Sequence, residues 1–492
     1  MKKIAVIGSG FAGLTSSIEL ASMGYEVDLY EKNNDPGGRA RKLEIKGFTF
    51  DMGPSWYWMP DVFEKFFARH GKQPDDYYKL LKLDPGFSII FDKGDKLSVP
   101  ASFDKLVKTF DEIENGSGKK LQIFMKKAAT KYQIGMTDLV YKPSHSIFEF
   151  INFQVLKGLF HLDIFTNFRK YVRKYFRHTK LIQLMEFPVL FLGATPKNTP
   201  ALYSLMNYTG LSQGTFYPIG GFNEVISALV DLAKEKGVKI HCNSEIEKVN
   251  VINGKAKSLT INNEKLDFDG VVAGADYHHV EQFLLDEKFR NYPKTYWDKR
   301  EMAPSSLLFY IGLDKKLKNI DHHTLFFDQD FDIHAEEIYD DPKWPTSPLF
   351  YMSCSSVTDN TVAPKGGENV VILIPLAPGL EDTNQMRENY FNIILERLKN
   401  LTGNDIKDNI VVKESYCVKD FEKDYNAFKG NAYGLANTLR QTAILKPRMR
   451  NKRIKNLYYT GQLTVPGPGV PPSIISGQIV AYEIDKYLKK AS

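Results

Sequence analysis

The sequence predicts an α/β protein, and glycine-rich turns at both ends of the chain carry most of that prediction. An apolar strand, Ile4-Ala5-Val6-Ile7, enters a glycine turn at 8–13, and a helical pattern with a stop at Gly24 follows. Residues 236–276 form short apolar segments separated by turn residues, as strands do. A second glycine turn at 466–471 leads into another helical pattern. We therefore expect a parallel sheet covered by helices.

The first turn has the spacing of a dinucleotide-binding loop. Gly8 allows the tight turn, Gly10 lets the backbone approach a pyrophosphate, and Gly13 lets the helix pack close to the strand. Phe11 and Ala12 stand at the helix amino terminus, where backbone N–H groups face the phosphates. The alternative is an ordinary strand-to-helix turn.

The second strand, Val27-Asp28-Leu29-Tyr30, ends in a carboxylate, Glu31, followed by Lys32. Glu31 lies eighteen residues beyond Gly13, close to the spacing at which an acid accepts a hydrogen bond from a ribose 2′-hydroxyl. A phosphate on that hydroxyl would be repelled, so NADP is disfavoured.

A second phosphate-binding segment follows at Gly37-Gly38-Arg39, where the glycine pair permits another close backbone approach. An NAD enzyme does not usually need it. The motif Asp51-Met52-Gly53-Pro54-Ser55 comes next and runs into Trp56-Tyr57-Trp58, which form either core or the floor of an apolar cleft.

The last predicted strand, 456–462, ends at Gly461-Gln462, and the turn containing Gly469, Val470 and Pro471 opens a helix from Ser473 to about Tyr487. Backbone amides at that helix start could stabilise negative charge on a reduced flavin ring. A phosphate-binding turn near one end of the chain and this helix start near the other fit FAD better than NAD.

Between these ends, residues 86–214 have aromatic-rich helical patterns. The remaining predicted elements are strands at 239–241, 246–251, 257–261, 270–273, 306–311 and 370–374, hairpin turns at Asn253-Gly254 and Asn262-Asn263, and a helix at 386–398.

Composition excludes several classes of protein. At 492 residues the chain can hold two or three cores, and a net charge of +6 is too small to indicate nucleic-acid binding. No run of eighteen apolar residues predicts a membrane span. The widely separated Cys242, Cys354 and Cys417 are expected to be buried, reduced thiols of a cytoplasmic protein. The pairs His278-His279 and His322-His323 should diverge on strands and lack a third ligand, so no metal is expected.

Residues 165–180 have a basic amphipathic pattern. Phe165, Phe168, Val172, Tyr175 and Phe176 recur at helical spacing, and the other side carries Arg169, Lys170, Arg173, Lys174, Arg177 and Lys180. Such a helix either lies in the headgroup layer of a membrane, where each basic residue contributes about 1 kcal/mol, or packs on its own domain.

Together, these segments resemble the FAD-dependent carotenoid desaturases of the bacterial and fungal phytoene desaturase type, within the broader amine oxidase and protoporphyrinogen oxidase superfamily. The resemblance covers nearly the whole chain. Besides the glycine turns, it is carried by Leu192-Gly193-Ala194-Thr195-Pro196, Tyr217-Pro218-x-Gly220-Gly221 and the stretch 272–276. Relatives often place an acid on the flavin ribityl chain where this chain has Gln462.

The resemblance implies a Rossmann-like FAD-binding domain built from 1–85, 215–300 and 425–492. An inserted mixed α+β substrate domain would comprise 86–214 and 301–424, with a helical membrane-associating region near 146–195. The implied FAD-binding residues are Gly8, Gly10, Phe11, Ala12, Gly13, Glu31, Lys32, Gly37, Gly38, Arg39, Gly53, Pro54, Ser55, Gly461, Gln462, Gly469, Val470 and Pro471.

The implied activity is desaturation of a membrane-borne carotenoid precursor, phytoene to lycopene, in the cytoplasm at the membrane surface. A hydride leaves for the flavin, a neighbouring carbon loses a proton, and a quinone or oxygen reoxidises the flavin. Glu149 stands where related desaturases place an acid near the substrate. Alternatives are a carotenoid 3,4-desaturase acting on a hydroxylated or monocyclic carotenoid, a non-catalytic prenyl-protein binder like the Rab GDP-dissociation inhibitors, and an amine oxidase.

Overall fold

The computed structural model describes residues 1–150, 163, 166–438 and 440–490. In chain order, its strands are β1 Lys3–Ile7, β2 Glu26–Tyr30, β3 Lys42–Ile45, β4 Phe48–Asp51, β5 Leu80–Lys82, β6 Phe87–Asp92, β7 Asp95–Val99, β8 Phe216–Pro218, β9 Lys239–His241, β10 Ile246–Ile252, β11 Lys255–Ile261, β12 Glu264–Asp267, β13 Gly270–Ala273, β14 Ser305–Leu313, β15 His323–Phe326, β16 Phe350–Ser353, β17 Glu368–Leu376, β18 Ile410–Tyr416 and β19 Leu457–Tyr459.

The α-helices of these residues are α1 Phe11–Ser22, α2 Pro60–Arg69, α3 Phe103–Ile113, α4 Ser117–Ile134, α5 Phe168–Arg173, α6 Thr179–Glu186, α7 Leu205–Asn207, α8 Asn223–Glu235, α9 Tyr277–His279, α10 Lys294–Asp298, α11 Phe331–Tyr339, α12 Asn384–Thr402, α13 Val418–Tyr425 and α14 Val470–Lys490. Short 3₁₀ and π turns connect several of them.

A five-stranded parallel sheet joins the two ends of the chain. Its strand order is β19-β13-β1-β2-β9, and each neighbouring pair is parallel. Helix α1 connects β1 to β2 and packs on α14, with Leu14 and Ile18 in the same buried cluster as Ile475 and Val480. The amino-terminal and carboxy-terminal glycine turns therefore meet at one edge of this sheet.

A seven-stranded sheet, in the order β18-β14-β17-β16-β15-β6-β7, forms the second layer. Its pairs are antiparallel except for β15 with β6. One face packs on α12 through Phe391, Ile394 and Leu398. The opposite face carries Leu308 and Tyr351 and is directed towards the glycine turns.

Most predicted strands are confirmed. The segment 270–273 forms β13 with the predicted bounds, and both Asn-containing turns join antiparallel strands with left-handed backbone at Asn253 and Asn262. The helical prediction is wrong at the start of 86–214, because residues 87–99 form the hairpin β6–β7. Gly94, with φ of +75°, makes that turn, and the preceding apolar run packs as a buried strand.

The expected single amphipathic helix over 165–180 is wrong, whereas docking of this segment on a membrane stays a prediction. Phe165 lies outside the described residues, and the pattern forms two helices, α5 and α6, instead of one. Phe168, Val172 and Phe176 are at most 1% exposed, because they pack into the protein's own core. The aromatic face is therefore already covered, and only the basic face is left to solvent.

In the described part of the chain, no helix has the length and apolar character needed to cross a bilayer. The three cysteines are free thiols; Cys354 and Cys417 are buried as predicted, whereas Cys242 is half-buried. The strands of the parallel sheet come from the segments predicted to bind FAD, and those of the seven-stranded sheet come from the predicted substrate segments. The exact domain boundaries stay a prediction.

A candidate cofactor cleft

A cleft opens where β1, β2, β13 and β19 end. Its wall includes Gly8 after β1, Glu31 after β2, Gly274 after β13 and Gly461 beyond β19. The carboxyl edge of a parallel sheet is where folds of this kind bind their ligands. All the residues predicted to bind FAD line this cleft, except Gly13, Ser55 and Pro471.

Two glycines of the first turn, Gly10 and Gly13, have different structural roles. A Cβ on Gly13 would lie 1.9 Å from the carbonyl oxygen of Gly8, so only glycine lets α1 pack this close to β1. A Cβ on Gly10 would have no atom within 4 Å. Gly10 also caps α1 without any side-chain hydrogen bond, so the first N–H groups of the helix face open space. That arrangement fits a pyrophosphate.

Glu31 is held in place by its neighbours. Its Oε2 accepts hydrogen bonds from the backbone N–H of Ser9 at 3.0 Å and the Ser9 hydroxyl at 2.7 Å. Its Oε1 accepts from the backbone N–H and the side-chain amide of Asn33, each at 3.0 Å. The side chain is 5% exposed and lines the cleft, so a fixed carboxylate stands where a ribose hydroxyl is expected.

Arg39 is a half-buried cation that lines the cleft. Its Nη2 donates to the carbonyl oxygen of Asn431 at 3.1 Å, its guanidinium lies 5.0 Å from the ring centroid of Tyr425, and its Nε has no partner. Burial lowers the pKa of Arg39 and raises that of nearby Asp276 to about 6. An unpartnered buried guanidinium N–H fits an anionic ligand.

Part of the cleft lining is apolar. Leu308 and Leu373, from β14 and β17, contribute to it, as do Gly53 and Pro54. Gln462, for which the resemblance implies a contact with the flavin ribityl chain, donates from Nε2 to Asn431 Oδ1 at 3.3 Å. Its side-chain amide is therefore anchored to a neighbouring loop.

The aromatic triplet packs in or against the hydrophobic core, which is one of the two roles that the sequence left open. Tyr57 and Trp58 are buried in the core, whereas Trp56 is half-buried and stacks on His323 with ring centroids 4.4 Å apart. Tyr57 donates to or accepts from the hydroxyl of Tyr78, and the indole of Trp58 donates to Thr215. These contacts do not form an open aromatic cage.

Glu149 lies outside the cleft lining. Its carboxylate accepts backbone hydrogen bonds from Ser144 at 2.9 Å, His145 at 2.8 Å and Ser146 at 3.2 Å, so it caps the local turn. A catalytic role for Glu149 stays a prediction without a supporting contact.

The prediction that both histidine pairs lie on strands and diverge is wrong. His278 and His279 belong to helix α9. The rings of His322 and His323 touch, with centroids 4.4 Å apart, because β15 begins only at His323 and strand alternation does not apply before it. Among the described residues, no three His, Cys, Asp or Glu side chains are grouped as metal ligands would be.

These features fit FAD. The uncapped helix start would hold the pyrophosphate and the Glu31 carboxylate would hold the ribose, while Arg39 lines the same cleft with an Nε that has no partner. A fold and a cleft of this type define an FAD-dependent oxidoreductase.

Comparison with known proteins gives the family. Residues 11–485 match the model of the flavin-containing amine oxidoreductases. The chain is 40% identical over 479 residues to the carotenoid 3,4-desaturase of Haloarcula japonica, covering 97% of each protein. It is 31% identical to the 4,4'-diapophytoene desaturase (4,4'-diaponeurosporene-forming) of Staphylococcus aureus, covering 99% of each. The chain belongs to the flavin-containing amine oxidoreductase family, and the predicted resemblance to carotenoid desaturases is confirmed.

A solved structure supports the same fold. An oxidoreductase from Methanosarcina mazei superimposes with a TM-score of 0.63 at 16% identity, over 98% of this chain and all of that one.

Sequence reasoning missed several residues that shape the cleft. Asn431 contacts both Arg39 and Gln462, yet no motif marks it. Leu308 and Leu373 lie in predicted strands, but both faces of these strands are largely buried, so alternation does not reveal which side chains face the cleft. Ser9 lies inside the recognised turn, and its position beside Glu31 follows only from the folded geometry.

Proposed function

We propose that this protein is an FAD-dependent carotenoid desaturase, which removes a hydride and a proton from adjacent carbons of a long polyene. The observation that carries the proposal is a dinucleotide cleft whose lining includes apolar side chains, in a chain similar over nearly its whole length to two carotenoid desaturases. Bound FAD supplies the hydride acceptor. The chain's own task is to hold one carbon in place and exclude water.

Two substrate classes are candidates for this enzyme. Desaturation of phytoene towards lycopene is one, and 3,4-desaturation of a hydroxylated or monocyclic carotenoid is the other. The similarity to the Haloarcula japonica protein favours the second, and the motifs shared with phytoene desaturases favour the first. Both reactions require FAD bound in the same way, so the part of the cleft that binds the carotenoid determines which substrate is used.

Expression in bacterial cells engineered to accumulate one carotenoid at a time tests this proposal. Pigments extracted from cells that accumulate phytoene, or a hydroxylated carotenoid, should have a longer conjugated system than the pigment supplied. In cells that carry a Gly10→Val variant, the conjugated system should not lengthen. Unchanged pigments with every carotenoid, from a protein that retains FAD, would contradict desaturase activity.

A non-catalytic prenyl-protein binder has no use for the uncapped helix start or for the fixed carboxylate of Glu31. An absorption spectrum of the purified protein distinguishes a desaturase from such a binder, since a flavoenzyme should be yellow.

An amine oxidase is distinguished from a desaturase by mixing the protein anaerobically with amines or with carotenoid in liposomes. If the protein is a desaturase, only the carotenoid should bleach the flavin.

We further propose that the enzyme works on the cytoplasmic face of the membrane, where its oily substrate resides, and passes electrons to a membrane quinone or to oxygen. Free thiols at Cys242, Cys354 and Cys417 favour a reducing compartment. Exposed basic side chains at Lys170 and Lys174 favour an anionic surface. Reoxidation rates with a soluble quinone, measured with and without oxygen, identify the acceptor.

A further inference from the structure

Residues 421–433, the closing segment, contribute one wall of the cleft. Its lining side chains include Phe421, Asp424, Tyr425 and Asn426. The segment starts in α13 and follows β18 of the seven-stranded sheet, whereas the wall at 31–33 follows β2 of the parallel sheet. A bound FAD would therefore be held between the two layers of the fold.

Hydrogen bonds join the closing segment to the residues that follow β2. Lys32 Nζ donates to the carbonyl oxygen of Lys423 at 2.6 Å and to Asn426 Oδ1 at 3.3 Å. The side-chain amide of Asn33 donates to the carbonyl oxygen of Asp424 at 3.3 Å. These contacts bridge the two walls of the cleft directly beside the expected ribose site.

The closing segment is also bonded to the wall that follows β13. The side-chain amide of Asn426 donates to Nε2 of His279 at 3.3 Å, and the backbone N–H of Phe428 donates to Asp276 Oδ2 at 3.4 Å. His279 and Asp276 both line the cleft. The segment thus contacts walls that follow two different strands of the parallel sheet.

One ion pair holds the closing segment from outside the cleft. Arg41 Nη2 lies 2.6 Å from Asp424 Oδ2, and the two side chains are 14% and 25% exposed. The hydroxyl of Tyr416 donates to the same oxygen at 3.1 Å, and the guanidinium lies 5.4 Å from the ring centroid of Tyr425. Arg41 is not itself part of the cleft lining, so it acts on the cofactor site through Asp424 and Tyr425.

Asp424 places a carboxylate in a cleft that is expected to hold the pyrophosphate of FAD. Without a cation beside it, this charge would repel the phosphates, and its partial burial would leave it poorly solvated. Arg41 directly precedes β3, so the ion pair both neutralises Asp424 and ties the closing segment to the amino-terminal part of the chain.

We propose that Arg41 is a positioning residue for the cofactor: by pairing with Asp424 it keeps the closing segment against bound FAD, and release of FAD requires this pair to separate. Opening of a segment that covers a ligand can set the rate of ligand release. Loss of the pair should therefore act on the dissociation rate of FAD. The inference goes beyond the proposed desaturation, because it requires FAD and no carotenoid.

Release of FAD from the purified holoenzyme tests the role of Arg41. After a large dilution, free flavin appears as a rise in fluorescence, and its time course gives the dissociation rate. Arg41→Gln should release FAD at least tenfold faster than the wild type. Lys42→Gln is the matched control, because it removes the same charge from the next residue, whose partner Glu44 is exposed; its rate should stay within twofold of the wild type.

Two further variants give readouts that a merely structural role would not move. Arg41→Lys keeps the charge on a shorter side chain, so its release rate should fall between those of the wild type and Arg41→Gln. Adding Asp424→Asn to Arg41→Gln removes the repelling carboxylate, so the double variant should release FAD no faster than Arg41→Gln alone. Independent defects would instead multiply.

A covalent link tests whether the closing segment has to move. Asn34→Cys and Lys423→Cys place thiols at exposed positions next to the bonded residues Asn33 and Asp424. A short bismaleimide joins them in a protein whose half-buried Cys242 is replaced by serine. The link should slow release from the wild type and restore slow release to the variant that lacks the cation.

Each outcome has a separate meaning. Release from Arg41→Gln within twofold of the wild type, or multiplied rates in the double variant, would overturn the role of Arg41. Equal rates with and without the link would overturn the requirement for opening. A wild-type protein that binds no FAD would instead overturn the cofactor assignment, and with it the proposed function.

Discussion

Glu31 fixes Ser9 through both of that residue's donors, the backbone N–H at 3.0 Å and the hydroxyl at 2.7 Å. The contact ties the end of β2 to the turn after β1, the two places that approach a bound dinucleotide. The carboxylate is thereby oriented before any ligand arrives, which lowers the entropy lost on binding.

Replacing Ser9 should therefore weaken FAD binding without disrupting the fold. In Ser9→Ala the carboxylate loses one of its four donors, and a net hydrogen-bond contribution of about 1 kcal/mol corresponds to a roughly fivefold higher dissociation constant for FAD. Quenching of flavin fluorescence during titration of the apoprotein measures this constant. Ser17→Ala is the control, because its hydroxyl bonds only to Gly13 in the buried part of α1. Equal affinities of the two variants would contradict the role of Ser9.

Substitutions of two glycines in the same turn should have different effects. The Gly10→Val side chain would point into open space where the pyrophosphate is expected, so the variant should fold and retain no FAD. The Gly13→Val side chain would collide with the carbonyl oxygen of Gly8, so this variant should lose thermal stability even as apoprotein. Flavin content and the melting temperature of each apoprotein measure the two effects. Normal FAD content in Gly10→Val would refute the cofactor assignment.

The glycine turns made the cofactor half of the fold predictable, because glycine at a fixed spacing has few structural explanations. The strands after Asn253-Gly254 were predictable for a similar local reason. By contrast, residues 89–91 are a short apolar run without alternation, and periodicity alone does not separate a buried strand from a buried helix.

The aromatic pattern of 165–180 shows another limit. Phe168 and Val172 have the same spacing whether they face lipid or core, and only the folded contacts reveal that they are buried. Likewise, the hydrogen bond between Tyr351 and His323 joins residues that are twenty-eight positions apart and lie on the neighbouring strands β15 and β16. No local sequence motif predicts such a contact.

Lys446 should make stability depend on pH. Its Nζ is buried without a partner, and burial lowers its pKa from the ordinary value of 10.5 to about 7. Between these values the unfolded chain holds a proton that the folded protein does not, so the free energy of unfolding should rise with pH by about 1.4 kcal/mol per unit.

Denaturant unfolding between pH 7 and 9 measures the effect of Lys446 as a difference between proteins. Lys446→Met should be more stable than the wild type at pH 7, and the difference in their free energies of unfolding should decrease as pH rises. Lys452→Met, at an exposed position, should follow the wild type at every pH. A constant gap for Lys446→Met would show that its proton is not released on folding.

The basic face of 170–177 should contribute to membrane binding even though its aromatic partners are buried. Lys170, Arg173, Lys174 and Arg177 are exposed, but Arg173, like the half-buried Arg169, pairs with the buried Glu186. Changing Lys170, Lys174 and Arg177 to glutamine removes charge and keeps both ion pairs of Glu186. At about 1 kcal/mol each, their loss should weaken binding to anionic liposomes on the order of 100-fold at low salt, and much less at 0.5 M salt.

Co-sedimentation with liposomes containing phosphatidylglycerol measures this binding. The control carries the same change of charge elsewhere, as Lys248→Gln, Lys257→Gln and Lys265→Gln on the three-stranded sheet β10-β11-β12. If both triple variants lose the same affinity, net charge explains the binding and residues 170–177 have no special part in it. If only the first loses affinity, that basic face is the one that meets the anionic surface, because screening and net charge act equally on both proteins.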